Sequence, residues 1–151
     1  MVNTIIREAV QSDISAMISL LRRLFEIETD FVFNEQKQRN GLELLLGEGN
    51  SHYLMVAELN QAIVGMCSVQ TLVSTAEGGL KAIIEDLVVH EAYRGKGVGR
   101  LLLAAAQEWA RSQNVKRIDL LADRHNTSAL RFYKQSNWQG TELICLQKKL
   151  L

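Results

Sequence analysis

The chain contains no proline, so no proline-rich linker or proline-marked boundary divides its 151 residues. Cysteine is scarce: Cys67 and Cys145 are the only two. Both fall in apolar, strand-like runs without C-x-x-C spacing, which excludes a disulfide framework and reads as reduced core thiols. No charge sign predominates, because 17 Lys and Arg balance 17 Asp and Glu for a formal net charge of zero. No global field then draws the chain to nucleic acid or to an anionic membrane, and any electrostatic function has to be local. No apolar run reaches the roughly eighteen residues of a membrane span, and Met1 to Ala9 lack a secretory pattern, so a cytoplasmic location is expected. The sequon Asn126-Thr127-Ser128 is set aside for the same reason. His52, His90 and His125 are scattered without ligand spacing, so no metal is expected. No serine or cysteine stands in a local nucleophile pattern, which argues against a covalent acyl-enzyme. What is there is ordinary, 47% hydrophobic and 23% charged without internal repeats, and it predicts one globular domain over residues 1–151.

Periodicity divides the chain into elements. Thr4 to Ala9 reads as a strand, and Gln11-Ser12-Asp13 supplies helix-capping residues. Ile14, Met17, Ile18, Leu21, Leu24 and Phe25 recur at helical spacing, giving an amphipathic helix to about Ile27. A second helix is expected from about Glu35 to Leu46, ending at Gly47. His52 to Leu59 and Ala62 to Val73 form a hairpin turning at Asn60-Gln61, and Gly65 marks a bulge or a close backbone approach. The strand Leu80 to Val89 carries Glu85 and Asp86 within an apolar run, and alternation sends these carboxylates to opposite faces. A long helix runs from Val98 to about Gln113, burying Val98, Leu101, Leu102, Ala105, Trp109 and Ala110. Asn114 ends it in the left-handed conformation. Val115 to Ala122 is a strand, parallel to the Ile83 strand by its strand–helix–strand order. A short helix capped by Asn126 reaches Gln135, and Trp138 to Leu151 closes the chain as a hairpin or pair of strands.

The chain is organised around Tyr93-Arg94-Gly95-Lys96-Gly97-Val98-Gly99-Arg100. Glycines at 95, 97 and 99 let the backbone fold tightly and bring its N–H groups to a ligand. Those groups lie at the positive end of a helix, among three cations, which is physically a site for a phosphate or pyrophosphate. A P-loop is excluded, since no Gly-Lys-Ser/Thr occurs. The dinucleotide pattern G-x-G-x-x-G fails in both frames, where Arg100 and Leu102 replace the last glycine.

What fits is Arg-x-x-Gly-x-Gly, as Arg94, Gly97 and Gly99, after Ile84-Glu85-Asp86-Leu87-Val88-Val89. This stretch closely resembles the GNAT superfamily of acyl-CoA-dependent N-acetyltransferases. A second stretch, Asn126-x-x-Ala129-x-x-Phe132-Tyr133 followed by Lys134-Gln135-Ser136-Asn137-Trp138, is similar to that family's second motif. The family commonly has Gly-Phe at Asn137-Trp138; Asn also adopts a left-handed helix terminus, and Trp keeps the aromatic anchor. The resemblance implies an α/β (α+β) fold, with a mixed, mostly antiparallel sheet, splayed central parallel strands and helices on both faces. It implies acetyl-CoA as co-substrate, its pyrophosphate held by Arg94, Gly95, Lys96, Gly97, Val98, Gly99 and Arg100. It implies that the backbone of Leu87, Val88 and Val89 binds pantetheine, with an N–H near Leu87 polarising the thioester, and that Asn126 hydrogen-bonds the cofactor arm.

Acetyl transfer needs a neutral amine. An amine of pKa near 10.4 is only about one part in a few thousand neutral at pH 7, a deficit worth on the order of 4–5 kcal/mol of barrier. A carboxylate base answers this. Glu85 is the candidate, because family members often carry a glutamate on this strand, and Asp86 is the reserve. The resemblance makes Tyr133 the general acid toward the coenzyme A sulfur. Phe25, Glu28, Asp30 and Phe31, between the first two helices, either border the acceptor site or form an ordinary packed helix–loop–helix. The expected acceptor is a small or polyamine-like primary amine attacking directly in a ternary complex. Alternatives are a protein N-terminal or lysine acetyltransferase, and a non-catalytic acyl-CoA-binding sensor. GNAT-like proteins frequently dimerise through terminal strands, and Leu143 to Leu146 is apolar enough to serve a homodimer.

Overall fold

Side-chain period decides where each strand lies. The computed structural model describes residues 3–151; Met1 and Val2, included in the single-domain range and in the reading of the N-terminus, lie outside the described residues. Among the described residues five strands pair in chain order: β1 (Thr4–Glu8), β2 (His52–Leu59), β3 (Ala62–Ser74), β4 (Gly79–Val89) and β5 (Ile118–Leu120). The first three junctions are antiparallel and β4 with β5 is parallel, the mixed and mostly antiparallel sheet expected. The β2–β3 turn uses Asn60 and Gln61, both at positive φ (50° and 66°), as a two-residue hairpin of primed type requires.

The helices α1 (Ile14–Ile27) and α2 (Glu35–Leu46) cover one face. Met17, Ile18, Leu20, Leu21 and Leu42 pack there with Leu54, Val56, Met66 and Val88 from the sheet. The long helix α3 (Val98–Ser112) covers the opposite face, and Gly65 lets it approach. A Cβ at Gly65 would stand 3.0 Å from Leu102 Cδ1 and 3.2 Å from the Val88 carbonyl oxygen, so the close-approach reading of this glycine holds. The register slip lies beside it, with Val64 as the extra residue between Ala57↔Gly65 and Glu58↔Ile63.

Several expectations are corrected. Leu101 is 45% exposed, whereas Leu103 and Ala106 are buried. At about 100° per residue, Val98, Leu102, Ala106, Ala110 and Leu103 share one arc and Leu101 falls outside it. Asp13 puts no cap on α1; its carboxylate accepts from Val10 N at 2.8 Å and pairs with Arg7. The parallel strand is three residues long, because Val115 N still bonds to Ala110 O in the helix exit and the ladder ends at Ile84↔Leu120. Residues 138–151 form no strand. An apolar run without a neighbouring edge has no ladder to join, and Leu143, Ile144 and Leu146 are 72–87% exposed. Cys145 is accordingly exposed, not a core thiol, whereas Cys67 is buried and both are free. No helix among the described residues is long and apolar enough to cross a membrane.

Contacts divide the chain into two compact units, one ending at Leu120 and one spanning Leu121–Leu151. In the second, α4 (Thr127–Gln135) is capped by Asn126, whose Oδ1 accepts from Ala129 N at 3.1 Å. Asn137 leaves the helix at φ 67°, the left-handed exit expected of it.

One ion pair anchors the start of the fold. Arg7 grips Asp13 through two bonds of 2.8 and 3.0 Å and reaches Glu58 at 3.4 Å. The Arg7 guanidinium, ahead of the Val10 N–H, holds the buried Asp13 carboxyl below its ordinary value. A depressed carboxylate contributes stability above its unfolded pKa and loses it as pH falls through the folded one. Asp13→Ala should cost about 2 kcal/mol at pH 7, less than the ~3–5 kcal/mol of a fully buried pair because Arg7 stays partly wet. Urea unfolding checks this, and the difference from the parent should shrink as pH drops below about 4.

Candidate active site

The loop after β4 is shaped by its glycines. Gly95 and Gly97 have φ of 76° and 85°, and a Cβ on either would meet nothing within 4 Å, so each faces open space. Gly97 is the N-cap of α3 and no side chain caps that terminus. The N–H groups of Val98, Gly99 and Arg100, in the first turn of α3, therefore have no intrahelical acceptor. The short turn Glu91–Tyr93 leads into this loop. His90 Nδ1 accepts from Ala92 N at 3.1 Å, and Arg23 of α1 pairs with Glu91. Arg94 folds back so that Nε donates to Val89 O at 3.0 Å, and Lys96 Nζ lies 5.4 Å from the Tyr93 ring centroid.

Among the described residues no strand pairs with the adjoining half of β4 on the β5 side. β5 pairs only with Ala82 to Ile84. His90 N donates to Val64 O across β3, and main-chain groups alternate sides along a strand. Val88 thus turns toward β3, while Leu87 and Val89 turn their N–H groups to the side that β5 has left. The Val89 carbonyl is taken by Arg94. Parallel strands that part in this way leave peptide donors and acceptors for an extended ligand.

The two carboxylates are arranged differently from expectation. Ser68 pairs with Asp86 and Val69 with Ile84, so Glu85 is the extra residue of a bulge and opposes Ser68 together with Asp86. A bulge breaks strand alternation. Glu85 and Asp86 consequently project from the α1/α2 side of the sheet together instead of from opposite faces. Glu85 is exposed. Asp86 keeps some solvent contact, but burial pushes its carboxyl up to about 6, with Glu85 adding to the rise and the Ser68 hydroxyl opposing it. Ser68, fully buried, donates to Asp86 Oδ2 at 3.0 Å and accepts from Asp86 N at 3.2 Å. Sequence reasoning missed Ser68, since a lone serine in a strand carries no signal; only the pairing register places it.

In the second unit, Tyr133 packs between Phe132 and Trp138, with ring centroids 5.2 and 6.0 Å away. Asn126 spends its acceptor on the helix cap and keeps its amide N–H groups as donors. In the first unit, Phe25 and Phe31 come together at 5.7 Å, with Phe31 40% exposed and Asp30 exposed. Phe31 N donates to Glu28 O, which closes the turn after α1. No cluster of three His, Cys, Asp or Glu residues able to hold a metal occurs among the described residues. A helix terminus without a side-chain cap, open space at Gly95 and Gly97, and a strand edge that no described strand pairs fit a thioester carried on a diphosphate-bearing arm.

Comparisons with known proteins bear on this arrangement. The Acetyltransferase (GNAT) family profile matches residues 14–138. The chain is 29% identical over 144 residues to an aminoalkylphosphonate N-acetyltransferase of Salmonella typhimurium, covering 92% of this chain and 90% of that one. An uncharacterized N-acetyltransferase of Bacillus subtilis, YycN, is 37% identical over 70 residues, 46% of this chain and 44% of its own length. Among solved structures, the aminoglycoside N-acetyltransferase AAC(6')-Iy in complex with CoA superimposes with a TM-score of 0.85 at 16% identity, over 100% of this chain and 97% of that one, and so shares the fold.

Proposed function

Because the chain belongs to the Acetyltransferase (GNAT) family and is an acyl-CoA-dependent N-acetyltransferase, we propose that it acetylates the primary amine of a small molecule by direct attack in a ternary complex. The observation that carries this reading is the parting of β4 from β5 after Ile84, beside a glycine loop that opens onto an uncapped helix terminus. Acetyl-CoA, when bound, supplies an activated acyl group and a thiol leaving group.

The chain's own residues do the rest. The N–H groups of Val98, Gly99 and Arg100, with Gly95 and Gly97 leaving room, hold the diphosphate, and Arg94 and Lys96 add positive charge. The Leu87 N–H donates to the thioester oxygen as negative charge develops there. Glu85 or Asp86 takes the proton of the ammonium. Tyr133 gives a proton to the departing sulfur, and Asn126 steadies the arm through its amide N–H groups. Residues 1–151 act as one domain, a reading supported by a family profile that runs across both compact units.

A small acceptor is favoured by the similarity to an aminoalkylphosphonate N-acetyltransferase. A cationic, polyamine-like acceptor is favoured by two carboxylates on one face without a salt-bridge partner among the described residues. Phe25, Glu28, Asp30 and Phe31 are its proposed outer contacts. Thiol release from acetyl-CoA across a panel of aminoalkylphosphonates, diamines, aminoglycosides and peptides tests the reading. Turnover of small amines above peptides is expected; turnover of peptides alone would replace it with a protein acetyltransferase, and binding without turnover with a sensor.

A further inference from the structure

We propose that Asp86, oriented by Ser68, is the proton acceptor for the incoming ammonium, and that Ser68 is a positioning residue of the reaction. This rests on the acyl-transfer reading above and selects between the two carboxylates that reading leaves open. The geometry comes from the bulge. Had β4 continued in regular alternation, only one of residues 85 and 86 would face the α1/α2 side; the inserted Glu85 puts both there.

Their environments then separate them. Glu85 is exposed and makes no described hydrogen bond or salt bridge, so water solvates it and nothing fixes its rotamer. Asp86 is held at two points by a single hydroxyl. Ser68 Oγ accepts from the Asp86 N–H and donates to Oδ2, which fixes the carboxyl plane and leaves Oδ1 as the open acceptor. Ser68 is itself completely buried in β3, so this orientation is anchored in the most rigid part of the sheet. The groups acting on Asp86 are Ser68 on β3 and Glu85 on β4, and Asp86 in turn adds to the burial that raises the Cys67 thiol of β3. The sheet residues next to it, Met66 and Val88, pack with apolar side chains of α1 and α2. No cation is paired with it among the described residues. A desolvated, unpaired carboxylate next to a second one holds a proton more tightly than a surface acid does, as a base near neutrality must.

The step balances. The ammonium N–H bond breaks and its proton goes to Asp86 Oδ1, which leaves the lone pair on nitrogen. The new C–N bond forms at the thioester carbon, the C–S bond breaks, and sulfur leaves with that bonding pair and takes the Tyr133 hydroxyl proton. The second N–H proton of the now cationic nitrogen restores Tyr133, which leaves a neutral amide and a thiol. Ser68 keeps Oδ2 throughout and stabilises the ionised carboxylate that starts the cycle.

The test is the pH profile of kcat/KM for the fastest small amine of the panel, together with a direct carbon-NMR titration of the aspartate carboxyls. Acetyl-CoA affinity is measured on every variant. Asp86→Asn should lower kcat/KM about a hundredfold and remove the acid limb, whereas Glu85→Gln should keep that limb and lose less than tenfold. Ser68→Ala should move the limb and the titration of Asp86 upward by about 0.5–1 pH unit. Ser68→Cys, of similar size with a weak donor, should bring both part of the way back. An acid limb that survives Asp86→Asn, or disappears in Glu85→Gln, overturns the assignment of the base. A Ser68→Ala profile superimposable on the parent's removes Ser68 from the reaction. Failure of the parent to bind acetyl-CoA would instead strike the acyl-transfer reading.

Discussion

Gly97→Asp should raise the dissociation constant for coenzyme A at least a thousandfold while leaving the protein folded. Both halves follow from what surrounds Gly97. A Cβ there meets nothing within 4 Å of protein, so the free chain accommodates the side chain without repacking. The cost to folding is confined to the backbone, since φ is 85° and a non-glycine residue pays roughly 1–2 kcal/mol in the left-handed region, with aspartate among the more tolerant. The open space is, however, where the diphosphate lies in our reading. There a carboxylate takes the volume and sets a negative charge against another, a juxtaposition that costs several kcal/mol. A thousandfold loss corresponds to about 4 kcal/mol, within reach of that repulsion alone. Gly97→Ala separates the two effects, because it carries the strain and the methyl bulk without the charge. Calorimetry on both variants should rank parent, Ala and Asp in that order, with thermal midpoints falling by only a few degrees.

The second large effect is expected at Tyr133. Removing its hydroxyl leaves a ring that packs on Phe132 and Trp138 as before, so α4 and its exit at Asn137 should persist. What is lost, in our reading, is the proton donor for the departing sulfur. General acid catalysis contributes typically 10²–10⁴-fold. A thiolate leaves more easily than an alkoxide because thiol pKa values sit near 8.5, which places this case at the low end. Tyr133→Phe should therefore lower kcat about a hundredfold, with acetyl-CoA affinity within about twofold of the parent. Stopped-flow or steady-state thiol release, paired with cofactor titration, separates the outcomes. Unchanged turnover removes Tyr133 from the acid role, and an equal loss of affinity reassigns it to binding.

How much of this was readable from residue order depends on whether a feature is local. α2 from Glu35 to Leu46 and β2 from His52 to Leu59 emerge with the expected bounds, since capping, periodicity and turn residues all act within a few positions. The positive φ angles of Asn60, Asn114 and Asn137 follow equally from local chemistry. Pairing register is not local. The alternation that separates Glu85 from Asp86 is a sound rule for a regular strand, and one inserted residue against β3 annuls it. Ser68 meets Asp86 only through that slip. Trp138 to Leu151 fails in the opposite way: its apolar residues suit a strand, but a strand exists only where another edge accepts its hydrogen bonds. Leu101 falls off the buried face because a helix stripe gives the period and not the phase, which packing of Val98 and Leu102 against Gly65 decides.

Isothermal titration of coenzyme A into the purified protein is the most direct trial of the diphosphate cradle. Saturable heat at one site per chain, abolished in Gly97→Asp and retained in Tyr133→Phe, is the predicted result. No heat with coenzyme A or acetyl-CoA, or undiminished heat with the Gly97→Asp variant, would contradict it and with it the roles given to β4, to the glycine loop and to Asp86.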